Sequence, residues 1–343
     1  MTTDRFALAR IQALLLLVLV CVPRLACGQA VGPFQTSEQN PLYRMLYVPD
    51  AEAADPVAEG VLRIDFSTSY SDVFEVDNSE RHYHIFDLEQ MTNSLTLRYG
   101  FSPSLELGVR VGLYTDWRGF LDRPISGFHN LFGLPNAGRE NRPNNEYLFL
   151  FEHDDLASGP FRPESEGSRL SLESLGLHAK WSIYAKDDSS QALSLAGAIR
   201  RAGGRLEDGR FGGAVSLQGR ASTESKFHFH GSVGLTFADP PAQLRPITRD
   251  HALFLSTAAE YRIRPRFSLI GQISGSSNYF KGFDAGPLDK MPLNLVLGMG
   301  STTEGGWRWQ LSFAEDLIPS GPAVDFTVDL ELSKVVFRSR ADQ

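Results

Sequence analysis

From Val61 almost to the C-terminus, apolar and polar side chains alternate with a period of two, in segments of about ten residues or more bounded by Gly, Pro, Asn, Asp and Ser. Leu62, Ile64, Phe66, Thr68 and Tyr70 alternate with Arg63, Asp65, Ser67 and Ser69. Leu95, Leu97 and Tyr99 repeat the pattern, and after a turn at 100–104 so do Leu105, Leu107, Val109, Val111 and Leu113 against Glu106, Gly108, Arg110 and Gly112. It returns in Leu175 to Ile183, in Phe227 to Phe237 and in Val324 to Leu332. Such segments are strands with one apolar and one polar face, longer than the usual globular strand and long enough to cross a bilayer when tilted.

Weaker segments of like length run over 190–201, 210–221, 251–263, 266–277, 292–302 and 306–316, which brings the total to about twelve. Short links (100–104, 185–189, 222–224, 264–266, 302–306) alternate with longer ones (73–81, 116–167, 202–210, 239–250, 278–291, and a shorter 317–322). Outer-membrane barrels have this asymmetry, and an even strand number puts both termini on the periplasmic side. The count closes only if Tyr147, Phe149 and Phe151 belong to the long loop rather than to a wall strand. Aromatics at segment ends (Tyr70, Tyr99, Trp181, Tyr184, Phe237, Tyr261, Phe267, Trp307 and Trp309) suit two interfacial girdles. An open sheet edge in hydrocarbon would leave backbone groups unpaired at several kcal/mol each, so membrane residence requires closure. The expected fold is all-β, a transmembrane antiparallel up-and-down β-barrel of about 12 strands.

Residues 1–30 read as a secretory signal: Arg5 and Arg10, then the apolar run Ala13 to Val22, then small residues at Ala26, Gly28 and Ala30. Pro23 and Arg24 end the run too early for a membrane anchor, and Arg24 ahead of Cys27 argues against a lipoprotein. Both cysteines, Cys21 and Cys27, lie in this segment, so disulfide and thiol chemistry are not expected of the exported chain. Removing Arg5, Arg10, Arg24 and Asp4 from 33 basic and 41 acidic side chains leaves 30 and 40, a balance that repels nucleic acid. The expected organisation is therefore a signal at 1–30, an extended periplasmic arm at 31–60 with Pro33, Pro41, Pro49 and Pro56, a barrel over 61–337 with a long outer loop at 116–167, and a tail at 338–343. The expected location is the bacterial outer membrane, after export through the inner membrane. The partners implied are outer-membrane lipid and the outer-membrane barrel assembly machinery, with oligomeric state left open.

Two stretches carry a family resemblance. Gly32-Pro33-Phe34-Gln35-Thr36 with Gln39-Asn40-Pro41-Leu42-Tyr43, and Gly119-Phe120-Leu121-Asp122 through Gly127-Phe128-His129-Asn130-Leu131-Phe132-Gly133-Leu134-Pro135, resemble the bacterial outer-membrane proteins grouped as a domain of unknown function (number 3187). The resemblance spans essentially the whole exported chain. It implies a signal-bearing outer-membrane barrel and supplies no catalytic or binding residues.

Alternation assigns an inward polar set: Arg63, Asp65, Arg98, Glu106, Arg110, His178, Lys180, Lys226, His228, His230, Arg308, Asp325, Asp329 and Glu331. Mixed charges pair across a small lumen and seal it as readily as they line a pore, and a closed lumen is the favoured reading. Around 125–132 the apolar spacing predicts a short amphipathic helix, which either constricts the barrel mouth through Phe128, Leu131 and Phe132, lies on the membrane, or simply packs the loop. His82/His84 and His228/His230 each put two imidazoles on one strand face, a chelating spacing, but a histidine facing a wet lumen needs no metal, and no cofactor is expected. His230-Gly231-Ser232 has the spacing of an outer-membrane lipid hydrolase, yet parity turns it toward the lumen and away from lipid. Three function classes follow: passage of small solutes or lipidic molecules, a structural or adhesive closed barrel without transport, and an outer-membrane hydrolase.

Overall fold

The computed structural model describes residues 31–338 except 37, 134–135, 137, 157–158, 163–169, 187–189, 204–209, 224–225, 284–285, 319–320, 323 and 325. The expected signal at 1–30 and most of the expected tail lie outside the described residues.

Thirteen strands are described: β1 (Val61–Asn78), β2 (His82–Ser102), β3 (Leu105–Trp117), β4 (Leu148–His153), β5 (Ser171–Ala185), β6 (Gln191–Ala202), β7 (Phe211–Ser222), β8 (Phe227–Ala238), β9 (His251–Arg264), β10 (Phe267–Ser276), β11 (Leu293–Thr302), β12 (Trp307–Asp316) and β13 (Phe326–Arg338). All pairings between them are antiparallel, and β1 pairs with both β2 and β13, so the sheet closes on itself. β4 is outside the wall: it pairs with β2 alone, His82 opposite His153 through Asp87 opposite Leu148, while β3 pairs directly with β5. The wall is thus a 12-stranded up-and-down barrel, with Phe149 and Phe151 in the long loop as the strand count requires.

Exposure alternates as the sequence pattern dictates. In β8, Phe227, Phe229, Val233 and Phe237 are exposed while His228, His230, Ser232 and Thr236 are buried. Leu107, Val109, Leu175, Leu177, Leu195, Leu217, Leu253, Leu255 and Leu311 continue the outward apolar band around the barrel. Tyr99, Trp181, Tyr184, Phe237, Tyr261 and Trp307 are exposed near strand ends, as girdle residues should be. Tyr70 and Trp309 are half-buried, and Phe267 is fully buried because a register shift at Phe267/Ser268 against β9 turns the first residue of β10 inward.

The first hairpin departs from expectation. A loop over 73–81 is replaced by strand that continues to Asn78 and resumes at His82. Val73 and Phe74 are both buried, as are Ile85 and Phe86, because this flange is covered on two faces. With both faces covered, alternation loses its contrast and no longer announces a strand. The long loop carries helix α2 (Asp122–Phe132), whose preceding residues Phe120 and Leu121 donate backbone N–H groups to the Glu89 carboxylate.

Candidate functional site

The arm at 31–60 does not stand free of the barrel as expected; it fills the lumen. Four prolines and scattered acidic residues leave it without strand periodicity, and its backbone groups find side-chain partners on the wall instead. Starting near the short-turn end, Val31 and Gly32 donate N–H groups to Glu260 at 2.9 and 3.0 Å, and their carbonyls accept from Arg308 and Gln310, each at 3.0 Å. The Gln272 amide accepts from Phe34 N at 2.9 Å and donates to Phe34 O at 3.2 Å, mimicking a strand partner. Val31 and Phe34 pack on Ala258, Ile270, Val296 and Ala314.

At the long-loop end the arm turns through a one-turn helix, α1 (Pro41–Arg44). Asn40 caps it, accepting from Leu42 N at 3.0 Å, and Pro41 occupies the first helical position, where no N–H is required. The Asn40 amide also donates to Glu75 at 2.8 Å and to Pro322 O at 2.7 Å. Leu42, Tyr43 and Leu46 are fully buried in a cluster with Phe86, Phe149, Phe151, Leu244, Ile247, Tyr279, Phe280 and Phe283. The barrel mouth is therefore closed by an apolar cap built from the arm, the flange and the long loops.

The arm then descends on the opposite side of the lumen by a ladder of charges. Arg44 pairs with Glu173 at 2.6 Å, Asp50 with Arg110, Glu52 with Arg98 at 2.6 Å and with Lys180 at 2.9 Å, and Asp55 with Arg220 at 2.6 Å. Ser194 donates to Ala54 O and Lys180 to Ala53 O. Gly60 N finally donates to Gly100 O at 2.9 Å, and Gly100 is required there: a Cβ would collide with the Ala58 carbonyl.

Arg98, 2% exposed, is the hub of this ladder. Its guanidinium holds Asp65 at 2.8 Å and Glu106 at 3.0 Å on the wall as well as Glu52 on the arm, using its fixed fork of donors. His178 lies 3.3 Å from both Arg98 and Glu106, and Arg63 pairs with Asp65 at 3.0 Å. Burial alone would raise the Glu52 carboxyl, but Arg98 and Lys180 hold it well below the usual carboxylate range. Burial pushes Glu38 up, although Asn40 N–H and Asn294 hydrogen-bond its oxygens, and pushes the Tyr47 phenol up to about 12. Between the descending limb and the wall remains a cavity of about 120 Å³, lined by Arg44, Tyr47, Asp50, Glu52, Arg98, Arg110, Glu173, His178 and Arg200.

Most of the inward set therefore meets in this lumen. Asp65, Arg98, Glu106, Lys180, His228, His230, Asp329 and Glu331 are buried, and Arg63, Arg110, His178 and Arg308 are half-buried. Lys226 does not belong: it is exposed in the turn before β8 with φ of 152°, its carbonyl accepting from Arg262 N. Asp325 lies outside the described residues. The helix forms where its spacing foretold, but it does not constrict the mouth through the expected residues, since Leu131 is 78% exposed and Phe128 also points outward while Ile125 is buried. The Phe132 side chain lies outside the described set. His230 and Ser232 face inward, opposite to where a lipid hydrolase needs them. Leu42, Tyr43, Asp50 and Glu52 are the site residues that strand parity misses, because the arm has no period to read.

No curated protein matches the sequence. Among solved structures, the barrel resembles an outer-membrane channel from Pseudomonas putida F1 at 12% identity, covering 82% of this chain and 98% of that one with a TM-score of 0.52. Weaker likenesses include the Pseudomonas putida toluene transporter TodX (8% identity, 84% and 94% covered, TM-score 0.40) and the KdgM porin in complex with oligogalacturonate (8% identity, 79% and 98% covered, TM-score 0.42). The family described as a protein of unknown function, DUF3187, matches residues 11–335, and the chain belongs to it.

Proposed function

We propose that the protein is an outer-membrane barrel for passage of small solutes or lipidic molecules, closed at rest by its own N-terminal arm, and that residues 1–30 direct its export and are then removed. The observation that carries this reading is the arm's double traverse of the lumen on polar contacts. Eight strands leave an interior that side chains fill, and sixteen or more leave an aqueous channel. A 12-stranded wall lies between, with a bore that side chains alone leave unfilled and a folded-back peptide fills. Because ion pairs and amide contacts hold the arm along most of its length, water can replace them when it moves, and the vacated lumen is hydrophilic. That an outer-membrane channel shares the fold makes passage the first class to test.

A closed structural barrel is the second reading, favoured by the buried Arg98 hub that fixes arm to wall. Planar-bilayer recording separates the two. The wild type is expected to be mostly silent with brief openings, and Asp50→Arg with Glu52→Arg, which faces Arg110, Arg98 and Lys180 with like charge, is expected to hold it open. Silence of the doubly reversed variant, in a preparation whose barrel is folded, would favour the structural barrel.

A further inference from the structure

Outside the lumen, the flange gathers a second set of titratable groups. Asp77 is the penultimate residue of β1, and His82 and His84 open β2, two residues apart and so on one face of the strand. A donor atom from each lies within 4.8 Å of the other two. Both imidazoles are fully buried and stacked at 5.7 Å, while Asp77 is partly open to solvent. Asp77 lies 2.7 Å from His82 Nε2, and Ser79 Oγ lies 2.6 Å from His82 Nδ1. Glu75 lies 2.9 Å from His84 Nε2, which fixes the tautomer in which Nδ1 carries the lone pair. That Nδ1 is buried and has no hydrogen-bond partner among the described residues.

A buried imidazole lone pair without a donor is costly unless something accepts it. Two histidines and a carboxylate, each histidine steadied at its other nitrogen by Ser79 or Glu75, form a donor set and outer shell suited to a divalent transition metal. Phe283 packs on His82 at 4.9 Å, and Gly286 lies so close over Asp77 and His82 that a Cβ would collide with the carboxylate. His153 stacks on His82 at 6.4 Å but is held by Gly282 O, so it stays a neighbour. The second histidine pair is a poor counterpart, because Arg262 sits on His228 and its charge repels a cation.

We infer that Asp77, His82 and His84 bind a zinc-class divalent cation at the long-loop end, joining the tip of the first hairpin under the loop that carries Phe283. Binding requires the three donors to close by an ångström or so, since metal–ligand bonds are about 2.0–2.2 Å. It leaves at least one coordination position for water.

The test is a titration of the untagged full chain in detergent, with Zn²⁺ alone against a chromophoric chelator, the barrel fold being followed by heat-modifiable migration. One equivalent is expected, retained in His228→Gln with His230→Gln and lost in His82→Gln with His84→Gln. Asp77→Asn keeps the hydrogen bond to His82 and so the local fold, and is expected to weaken zinc by at least about tenfold. Co²⁺ in place of Zn²⁺ is expected to give a visible d–d band that the same substitutions remove. Absence of a stoichiometric equivalent in the wild type, or equal binding by wild type and the Asp77→Asn variant, would overturn the assignment.

Discussion

Replacing Glu52 by Gln removes the arm's half of two ion pairs, to Arg98 at 2.6 Å and to Lys180 at 2.9 Å, and leaves the wall's own network in place. Arg98 keeps Asp65 and Glu106, and Lys180 keeps Ala53 O and the Glu106 carboxylate directly opposite it on β3, so neither charge is left without a counter-charge and the full penalty for breaking a buried pair does not apply. The Gln oxygen still accepts one hydrogen bond from Arg98, so what is lost is the charge assistance of the pair of contacts, about 1.5–3 kcal/mol of arm docking. The assay is maleimide labelling of Ala54→Cys in folded barrels. Ala54 is fully buried against the wall through its carbonyl, and both native cysteines lie within residues 1–30. Labelling then requires the arm to leave, and its rate follows the undocked population. At 1.4 kcal/mol per tenfold, Glu52→Gln is expected to accelerate labelling by about tenfold to about a hundredfold. Equal rates in the two backgrounds, or fast labelling of Ala54→Cys alone, would refute the ladder as the arm's anchor.

Val109 faces outward and Arg110 is paired with Asp50, so the two neighbours should fail differently. Val109→Arg is expected to lower barrel stability by about 2–4 kcal/mol near the midplane, read as loss of heat-modifiable migration, whereas Arg110→Ser spares the barrel and speeds Ala54→Cys labelling. Glu52 is held below its ordinary value of 4.5, so its contribution to docking is present above that value and is lost only as pH falls through the lower, folded-state one. Glu38 is raised by burial and is relieved by acid, so it does not loosen the arm first. Docking, followed by the same labelling with an acid-tolerant thiol reagent, is expected to hold from neutral pH down through that ordinary value; release near about pH 6 would contradict it. On intact cells, a cysteine at exposed Asn144 in the long loop is expected to react with an impermeant maleimide and one at Glu304 in a short turn only after the outer membrane is opened. Equal labelling of both would invert the topology.

The wall was legible because its two faces meet different solvents. Where that holds, as along β8 from Phe227 to Phe237, period two reads off both strand and facing. Where both faces are covered, as at Val73, Phe74, Ile85 and Phe86, the contrast vanishes and the strand passes for loop. Phe267 reads outward by parity and turns inward at a one-residue shift that no alternation can signal. Alternation counts Lys226 into a strand that begins one residue later. The arm's location has a trace of a different kind. Its acids Asp50, Glu52 and Asp55 answer the inward bases Arg110, Arg98, Lys180 and Arg220, and the inward Gly212 leaves room for Tyr47. Charge matching between an aperiodic segment and a lumen is thus a signal, although one that specifies a partner only once the barrel is drawn.

If passage depends on movement of the arm, a reversible lock between arm and wall tests that dependence most directly. A Cβ built on Gly212 stands 2.8 Å from the Tyr47 Cβ, against about 3.8 Å in an ordinary disulfide, so Tyr47→Cys with Gly212→Cys needs a shift of about 1 Å to cross-link arm to wall. The Tyr47 carbonyl, which accepts from the Thr236 and Tyr279 hydroxyls, is a backbone group and survives the substitution. In single-channel recordings the oxidised pair is expected to be silent and to regain wild-type openings when reduced; openings of equal frequency in the oxidised and reduced states would contradict the account.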